Sequence, residues 1–287
     1  MQPNKLRVTG IQRLCVSDGP GVRTVVFLKG CYLHCPWCCN PEAIHYEEDA
    51  SFKRGECVDS PLLCSSCILH KGNTPVTKCP YHVYEEVSND YSSGELLDLL
   101  MKDNHALENG GVTFSGGEPL LHASPLKPLL ATLKDKGVNI AFESTLYAPT
   151  NHFDAVVNDV DYWLVDVKFQ YGLIPNRDYE LEEGCFEKNL LNLQNTVSKK
   201  NITYRMVLMS EVLDKADDIA HRLLSHNIQK IELLPCHSLA ENKYKQLGKS
   251  FRKFGTPTQQ ELNNFSLQLS NFGIHATYPE LYRLNND

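Results

Sequence analysis

Apolar and polar positions along this 287-residue chain switch repeatedly between two periods. Short apolar runs at Val22–Leu28, Gly111–Phe114, Val138–Phe142, Tyr162–Val167, Ile202–Leu208 and Lys230–Leu234 predict six strands. Segments with helical spacing predict helices over Gly94–His105, Pro125–Lys136, Phe153–Val157, Phe186–Lys199 and Lys215–Ser225, with a last one over Thr258–Phe272. Strand, helix, strand in repetition implies a parallel sheet with covering helices. Six strands are too few for a closed eight-stranded barrel. A partial barrel or an open doubly wound sheet remains, and either places chemistry at the C-terminal ends of strands.

One stretch breaks the pattern. Residues 42–87 have no long period, many polar residues, several prolines and four cysteines, so they are expected to form a small inserted domain between a main domain of 1–41 and 88–287. Such a segment has too little apolar surface to hold itself together without a metal. Elsewhere the composition, 42% hydrophobic and 22% charged, is that of a soluble globular protein. A net charge of -7 argues against nucleic acid as a partner, since phosphate calls for a basic face. No run reaches membrane-spanning length, and Met1–Gly10 lacks the apolar core of a signal peptide, which predicts a cytoplasmic protein. In that reducing compartment the eleven cysteines do not suggest a disulfide framework. Eight of them fall between Cys31 and Cys79, which suggests metal ligation.

Three of these thiols, Cys31, Cys35 and Cys38, share one loop directly after the first predicted strand. Three thiolates can hold three irons of a [4Fe–4S] cubane and leave the fourth iron open to a substrate. A zinc knuckle is the alternative for the loop taken alone, with Cys39 or His34 as a fourth ligand. A second motif, Ser115-Gly116-Gly117-Glu118-Pro119, follows the second strand. Its glycines permit close backbone approach to a ligand and its carboxylate can take an ammonium group. Polar residues recur at or after later strands: Glu143 and Ser144, Asp166 and Lys168, Arg205 within its strand, and His237. Polar residues at successive strand ends are what an active-site rim requires.

The CxxxCxxC spacing, with Trp37 at the aromatic position before the last cysteine, resembles the signature of radical S-adenosylmethionine (SAM) enzymes. Gly116-Gly117-Glu118-Pro119 resembles that family's GGEP motif. The stretch Ser17-Asp18-Gly19-Pro20-Gly21-Val22-Arg23-Thr24 before the loop is similar to the N-terminal signature of glycyl-radical-enzyme activating enzymes. Asn40-Pro41-Glu42, Asp166-Val167-Lys168, Leu234-Pro235-Cys236-His237 and Lys243-Tyr244 extend the likeness over the whole chain in order. The resemblance implies a partial (β/α)6 barrel of radical SAM type with a ferredoxin-like iron–sulfur insert. It implies SAM as cofactor, bound by Trp37, Gly116, Gly117, Glu118, Ser144, Asp166, Lys168, Arg205 and His237, with Glu118 on the methionyl amine. A small cation near Glu143 and Asp166 is also implied. Cys57, Cys64, Cys67 and Cys79 would hold a second [4Fe–4S] cluster or, alternatively, zinc; Cys15, Cys39, Cys185 and Cys236 would be unligated. The implied partners are a glycyl radical enzyme, activated at one glycine Cα, and an electron donor such as flavodoxin or ferredoxin, in an anaerobic or microaerobic setting. A radical SAM enzyme of a small molecule and a non-catalytic zinc scaffold are the alternative functions.

Overall fold

A computed structural model describes residues 5–47, 51–53, 64–65, 79, 81, 83–102, 107, 110–169 and 175–278. Cys57 and Cys67, and with them most of the expected insert, lie outside these residues.

All six expected strands form, and they are consecutive neighbours in one sheet. In chain order the strands are β1 (Leu6–Cys15), β2 (Val22–Leu28), β3 (Ser51–Lys53), β4 (Tyr84–Glu86), β5 (Asn89–Tyr91), β6 (Gly110–Gly116), β7 (Ile140–Ser144), β8 (Tyr162–Asp166), β9 (Ile202–Leu208), β10 (Lys230–Pro235) and β11 (His275–Thr277). The main sheet runs β11-β10-β9-β8-β7-β6-β2-β1-β5. Every pair from β2 to β11 is parallel, while β1 is antiparallel to both β2 and β5. Its two ends, β5 and β11, do not pair with each other. This is the open, partial barrel expected from the strand count. The short edge strands β5 and β11 escaped the sequence reading because three-residue strands carry almost no periodic information, and the ten-residue β1 escaped it because its apolar alternation does not run its whole length.

The connecting helices are α1 (Ser93–Met101), α2 (Ala123–Asp135), α3 (Thr150–Val156), α4 (Cys185–Thr196), α5 (Ala216–Ser225), α6 (Glu241–Gln246) and α7 (Gln259–Ser270). Their starts follow local chemistry. Ser92 with Glu95, and Thr258 with Glu261, form reciprocal capping boxes at α1 and α7. The buried positions Leu126, Leu129, Leu130 and Leu133 give α2 one apolar face toward the sheet. Inside, Phe114, Phe142, Trp163 and Phe153 pack in a chain with ring centroids 5.4–5.7 Å apart. This core makes the strands rigid and leaves their C-terminal ends to carry chemistry.

The insert does not begin cleanly at residue 42. Ala43, Ile44 and Tyr46 are buried with the barrel, and the carbonyls of Ala43 and Ile44 accept from Gly30 and Cys31. Beyond them, β3 and β4 form a separate two-stranded antiparallel sheet.

Candidate active site

The cysteine loop leaves β2 at Leu28, at the C-terminal end of the parallel sheet. Gly30 adopts φ +102°, and a Cβ there would come within 2.4 Å of Leu121. Its N–H donates to Ala43 at 2.6 Å, that of Cys31 to Ile44 at 2.9 Å, and that of Cys38 to Cys35 at 3.0 Å. Lys29 is fully buried just before the loop, with Nζ donating to the Glu42 carbonyl at 2.7 Å.

The thiols of Cys31, Cys35 and Cys38 lie close enough to repel one another as thiolates. Burial first, then the charge of Glu118 on Cys31 and of Cys39 on Cys38, and after these the other loop thiols, hold Cys31 and Cys38 well above the ordinary thiol range; Cys35 is also raised by burial. Three such groups ionise together only against a strong positive charge, which bound iron supplies. Zinc and an iron–sulfur cluster both take thiolates, and three cysteines on one loop leave one cluster iron, or a fourth zinc position, open to a further ligand. Trp37, within the loop, is held edge-on against Phe254 at 6.3 Å.

The glycine pair ending β6 has a packing cause. A Cβ on Gly117 would lie 2.0 Å from the Gly30 carbonyl oxygen, and one on Gly116, at φ +108°, 2.3 Å from the Leu28 nitrogen. Main chain meets main chain here: Gly117 donates to Leu28, and Glu118 to Gly30, both at 2.8 Å. The two motifs are thus one fused edge.

Glu118 is fully buried. Its Oε1 accepts from Ser144 Oγ at 2.7 Å and Leu120 N at 3.2 Å, its Oε2 from Thr145 N at 2.9 Å and Thr145 Oγ1 at 2.7 Å. Burial raises its pKa and these four bonds oppose the rise. Four donors occupy a carboxylate's usual complement of acceptor sites, so a ligand ammonium would share or displace one of them. Ser144, expected on the cofactor, is placed on this carboxylate.

The ends of β7, β8 and β9 carry the rim charges. Lys168 is buried and donates to Asp166 Oδ2 at 3.1 Å. Burial works against its charge, but Asp166, Cys35 and Cys31 hold its pKa above the ordinary lysine value. Asp166 Oδ1 is buried without a partner, an orphan acceptor facing the same region. Arg205 lies opposite Asp166 in the sheet register. Its guanidinium is committed: Nε donates to Glu232 at 2.8 Å, Nη1 to Glu143 at 3.4 Å, and Nη2 to the Ser17 carbonyl. Glu143 also accepts from Ser115 Oγ at 2.5 Å, and burial, followed by the neighbouring Asp166, raises its pKa. His237 follows β10 and is exposed, accepting from Leu239 N at 3.4 Å.

Glu118 after β6, and Asp166 and Lys168 at the end of β8, thus all act electrostatically on Cys31 or Cys35. The rim contains buried thiols for iron, an orphan carboxylate oxygen and a buried lysine for a charged ligand, and an aromatic face nearby. Of the expected second ligand set, Cys64 is buried and Cys79 half-buried. Asn176 was missed, and Lys243 and Tyr244 had no assigned role: Asn176 Nδ2 donates to the Cys31 carbonyl at 3.0 Å, Tyr244 OH to that of Cys38 at 3.1 Å, and Lys243 Nζ to Glu42 at 2.6 Å. No local motif marks a residue whose partner is more than a hundred positions away.

A family model described as a 4Fe-4S single cluster domain matches residues 17–180. The choline trimethylamine-lyase activating enzyme of Oleidesulfovibrio alaskensis is 32% identical, over 90% of this chain and 92% of its own. The 4-hydroxyphenylacetate decarboxylase activating enzyme of Clostridioides difficile is 30% identical, over 84% of this chain and 85% of its own. A radical SAM methyltransferase from Sphaerobacter thermophilus shares the fold, with TM-score 0.52 and 16% identity over 96% of this chain and 73% of its own. With these relatives matching nearly end to end and the cysteine loop fused to the glycine motif on the open barrel's rim, the chain belongs to the radical SAM activating enzymes of glycyl radical enzymes, which use an iron–sulfur cluster and SAM.

Proposed function

We propose that Cys31, Cys35 and Cys38 hold the catalytic [4Fe–4S] cluster and that SAM lies across the rim between that loop and β10. The observation carrying this reading is the joining of the Gly117-Glu118 main chain to the start of the cysteine loop, with Glu118 after β6 and Asp166 and Lys168 at the end of β8 close to its thiols. When bound, the reduced cluster supplies one electron to break a sulfonium C–S bond of SAM, giving methionine and a 5′-deoxyadenosyl radical that takes a Cα hydrogen from a glycine of the partner enzyme.

The chain's own residues bind and orient. Lys168, kept protonated by Asp166, suits the methionyl carboxylate, and the orphan Oδ1 of Asp166 can take a ligand hydroxyl or a small cation shared with Glu143. Glu118, with Ser144 and Thr145, offers an acceptor for the amine, with Gly116 and Gly117 as the adjoining edge. Trp37 offers an apolar face to the adenine, and His237 a polar group at the far end. Arg205 acts one step back, fixing Glu143 and Glu232. The buried barrel beneath excludes water from the reacting carbon.

The Cys57, Cys64, Cys67 and Cys79 set of residues 42–87 would carry a second [4Fe–4S] cluster beside the barrel formed by 1–41 and 88–287. The protein substrate is a glycyl radical enzyme, and a cytoplasmic flavodoxin or ferredoxin is the electron donor. Among the described residues no helix is long and apolar enough to cross a membrane.

Anaerobic reconstitution should load iron and sulfide for two clusters per chain and, with dithionite, release 5′-deoxyadenosine from SAM. Cys35→Ala should abolish that release; full activity in the variant would overturn the assignment. Mixing with the partner should yield a glycyl radical doublet in electron paramagnetic resonance. A persistent release of 5′-deoxyadenosine without any doublet across candidate partners would point to a small-molecule substrate instead.

A further inference from the structure

The cysteine loop has little structure of its own. Between Cys31 and Cys38 its internal main-chain bonding is the single turn from Cys38 N to Cys35. Its shape is imposed from outside, and at two points in particular. The carbonyl of the first iron-binding cysteine accepts from Asn176 Nδ2 at 3.0 Å, and that of the last accepts from Tyr244 OH at 3.1 Å.

We propose that Asn176 and Tyr244 form a two-ended clamp that sets the span between Cys31 and Cys38, and so act as positioning residues for the cluster. Asn176 is 1% exposed. Its second Nδ2 hydrogen goes to the Ile44 carbonyl at 3.2 Å, its main-chain N–H donates to Tyr32 at 2.8 Å, and Oδ1 accepts from Asp178 N at 3.2 Å. One amide therefore binds the loop's entry to the bend at Ile44 beyond its exit. Its neighbour Pro175 adds a bridge to Leu33. At the other end Tyr244 is buried on α6, edge-on to Phe251 at 5.3 Å. Beside it Lys243 continues the grip past Cys38, reaching Asn40 Oδ1 at 3.0 Å and Glu42 Oε1 at 2.6 Å. The Asn40-Pro41-Glu42 and Lys243-Tyr244 motifs, 200 positions apart, are one device.

The physical consequence follows from where the bonds fall. A carbonyl direction fixes the peptide plane, and that plane limits ψ and so the Cα–Cβ direction from which the cysteine rotamers place the sulfur. Neither clamp residue touches a thiol by a hydrogen bond; each holds the main chain that aims one.

This inference rests on the cluster assignment above, and the test separates the two. Full-length protein is reconstituted anaerobically as the parent, as Tyr244→Phe and as Asn176→Ser, and iron content, the spectrum of the reduced cluster with and without SAM, and the rate of iron release to a chelator are measured. If the parent binds no cluster, the assignment fails. With a loaded parent, each variant should release iron about tenfold faster, the equivalent of one ordinary hydrogen bond, and show an altered SAM-induced change in the spectrum. Parental release rates and spectra in both variants, even with lowered melting temperatures, would reduce the two residues to ordinary packing and overturn the clamp. Should Asn176→Ser not fold, Tyr244→Phe, which removes a single hydroxyl, decides the matter alone.

Discussion

Two buried arginines on parallel strands mark the two ends of the barrel, and they are treated in opposite ways. At the base, Arg23 meets only neutral acceptors: Thr113 Oγ1 at 2.6 Å, the carbonyls of Val112, Pro20 and Asn139 at 2.8, 2.9 and 3.2 Å, and Asn139 Oδ1 at 3.0 Å. Burial pushes its pKa down to about 10, with the Asp161 and Asp18 carboxylates acting from beyond hydrogen-bond reach against that fall, so it stays charged at neutral pH. Nearer the rim, Arg205 pairs with carboxylates, and Glu143, Glu232 and Asp166 more than offset the effect of burial and raise its pKa. At the base the guanidinium of Arg23 has all its donors engaged. At the rim Asp166 keeps an orphan oxygen beside the carboxylates that Arg205 bridges. A cation with every donor used serves to hold strands together, whereas an unmatched carboxylate oxygen at the rim leaves capacity to bind.

The largest test of this contrast is Arg23→Met. It strips five contacts and leaves buried carbonyls behind, and should cost about 3–5 kcal/mol in denaturant unfolding. Folded molecules should still load their iron normally. Loss of iron without loss of stability would break the division between base and rim.

The next effect is of pH, and it lies between the two regions. His122 is fully buried, with Nε2 on the Lys29 carbonyl at 2.7 Å, and burial brings its pKa down to about 4 from 6.5. A group whose protonation is opposed by folding contributes stability above its unfolded pKa and loses it as pH falls. The apoprotein should therefore lose about 3 kcal/mol between pH 6.5 and 4, measured by chemical denaturation. His122→Gln should flatten that slope; an unchanged slope would place the acid sensitivity in the rim carboxylates.

Arg205→Met should have the smallest effect on stability, about 1–2 kcal/mol, because its partners are partly solvated. Glu143 can also take up a proton, so the loss should be smaller at pH 5 than at pH 8. Formation of 5′-deoxyadenosine should fall at least tenfold, about 1.4 kcal/mol in barrier. Equal losses of activity and stability would make Arg205 a structural bolt like Arg23.

Legibility from sequence tracked distance along the chain. Cys31, Cys35, Cys38 and Trp37 share one loop, so their spacing announced metal-binding chemistry, with the flanking motifs needed to favour iron over zinc. The strand-end residues Glu118, Glu143, Asp166 and Lys168 were readable because a parallel sheet puts successive strand ends side by side. Arg205 was correctly noticed as a buried cation, yet its use as a bridge from Glu143 and Glu232 to the Ser17 carbonyl was not visible. The hydrogen bond from Ser144 to Glu118, a residue 26 positions earlier, was likewise not visible.

The sequence by itself determined the six parallel strands, the three-cysteine loop and the family, because periodicity and motif spacing are properties of neighbouring residues. Only the tertiary structure decided why the glycine motif needs two glycines, which is the press of Gly117 against Gly30. It alone joined Asn176 and Tyr244 to opposite ends of the cysteine loop, across 145 and 206 positions. Hydrogen bonds to main-chain carbonyls carry no side-chain complementarity to read. Their partners become known only when packing brings the two segments together.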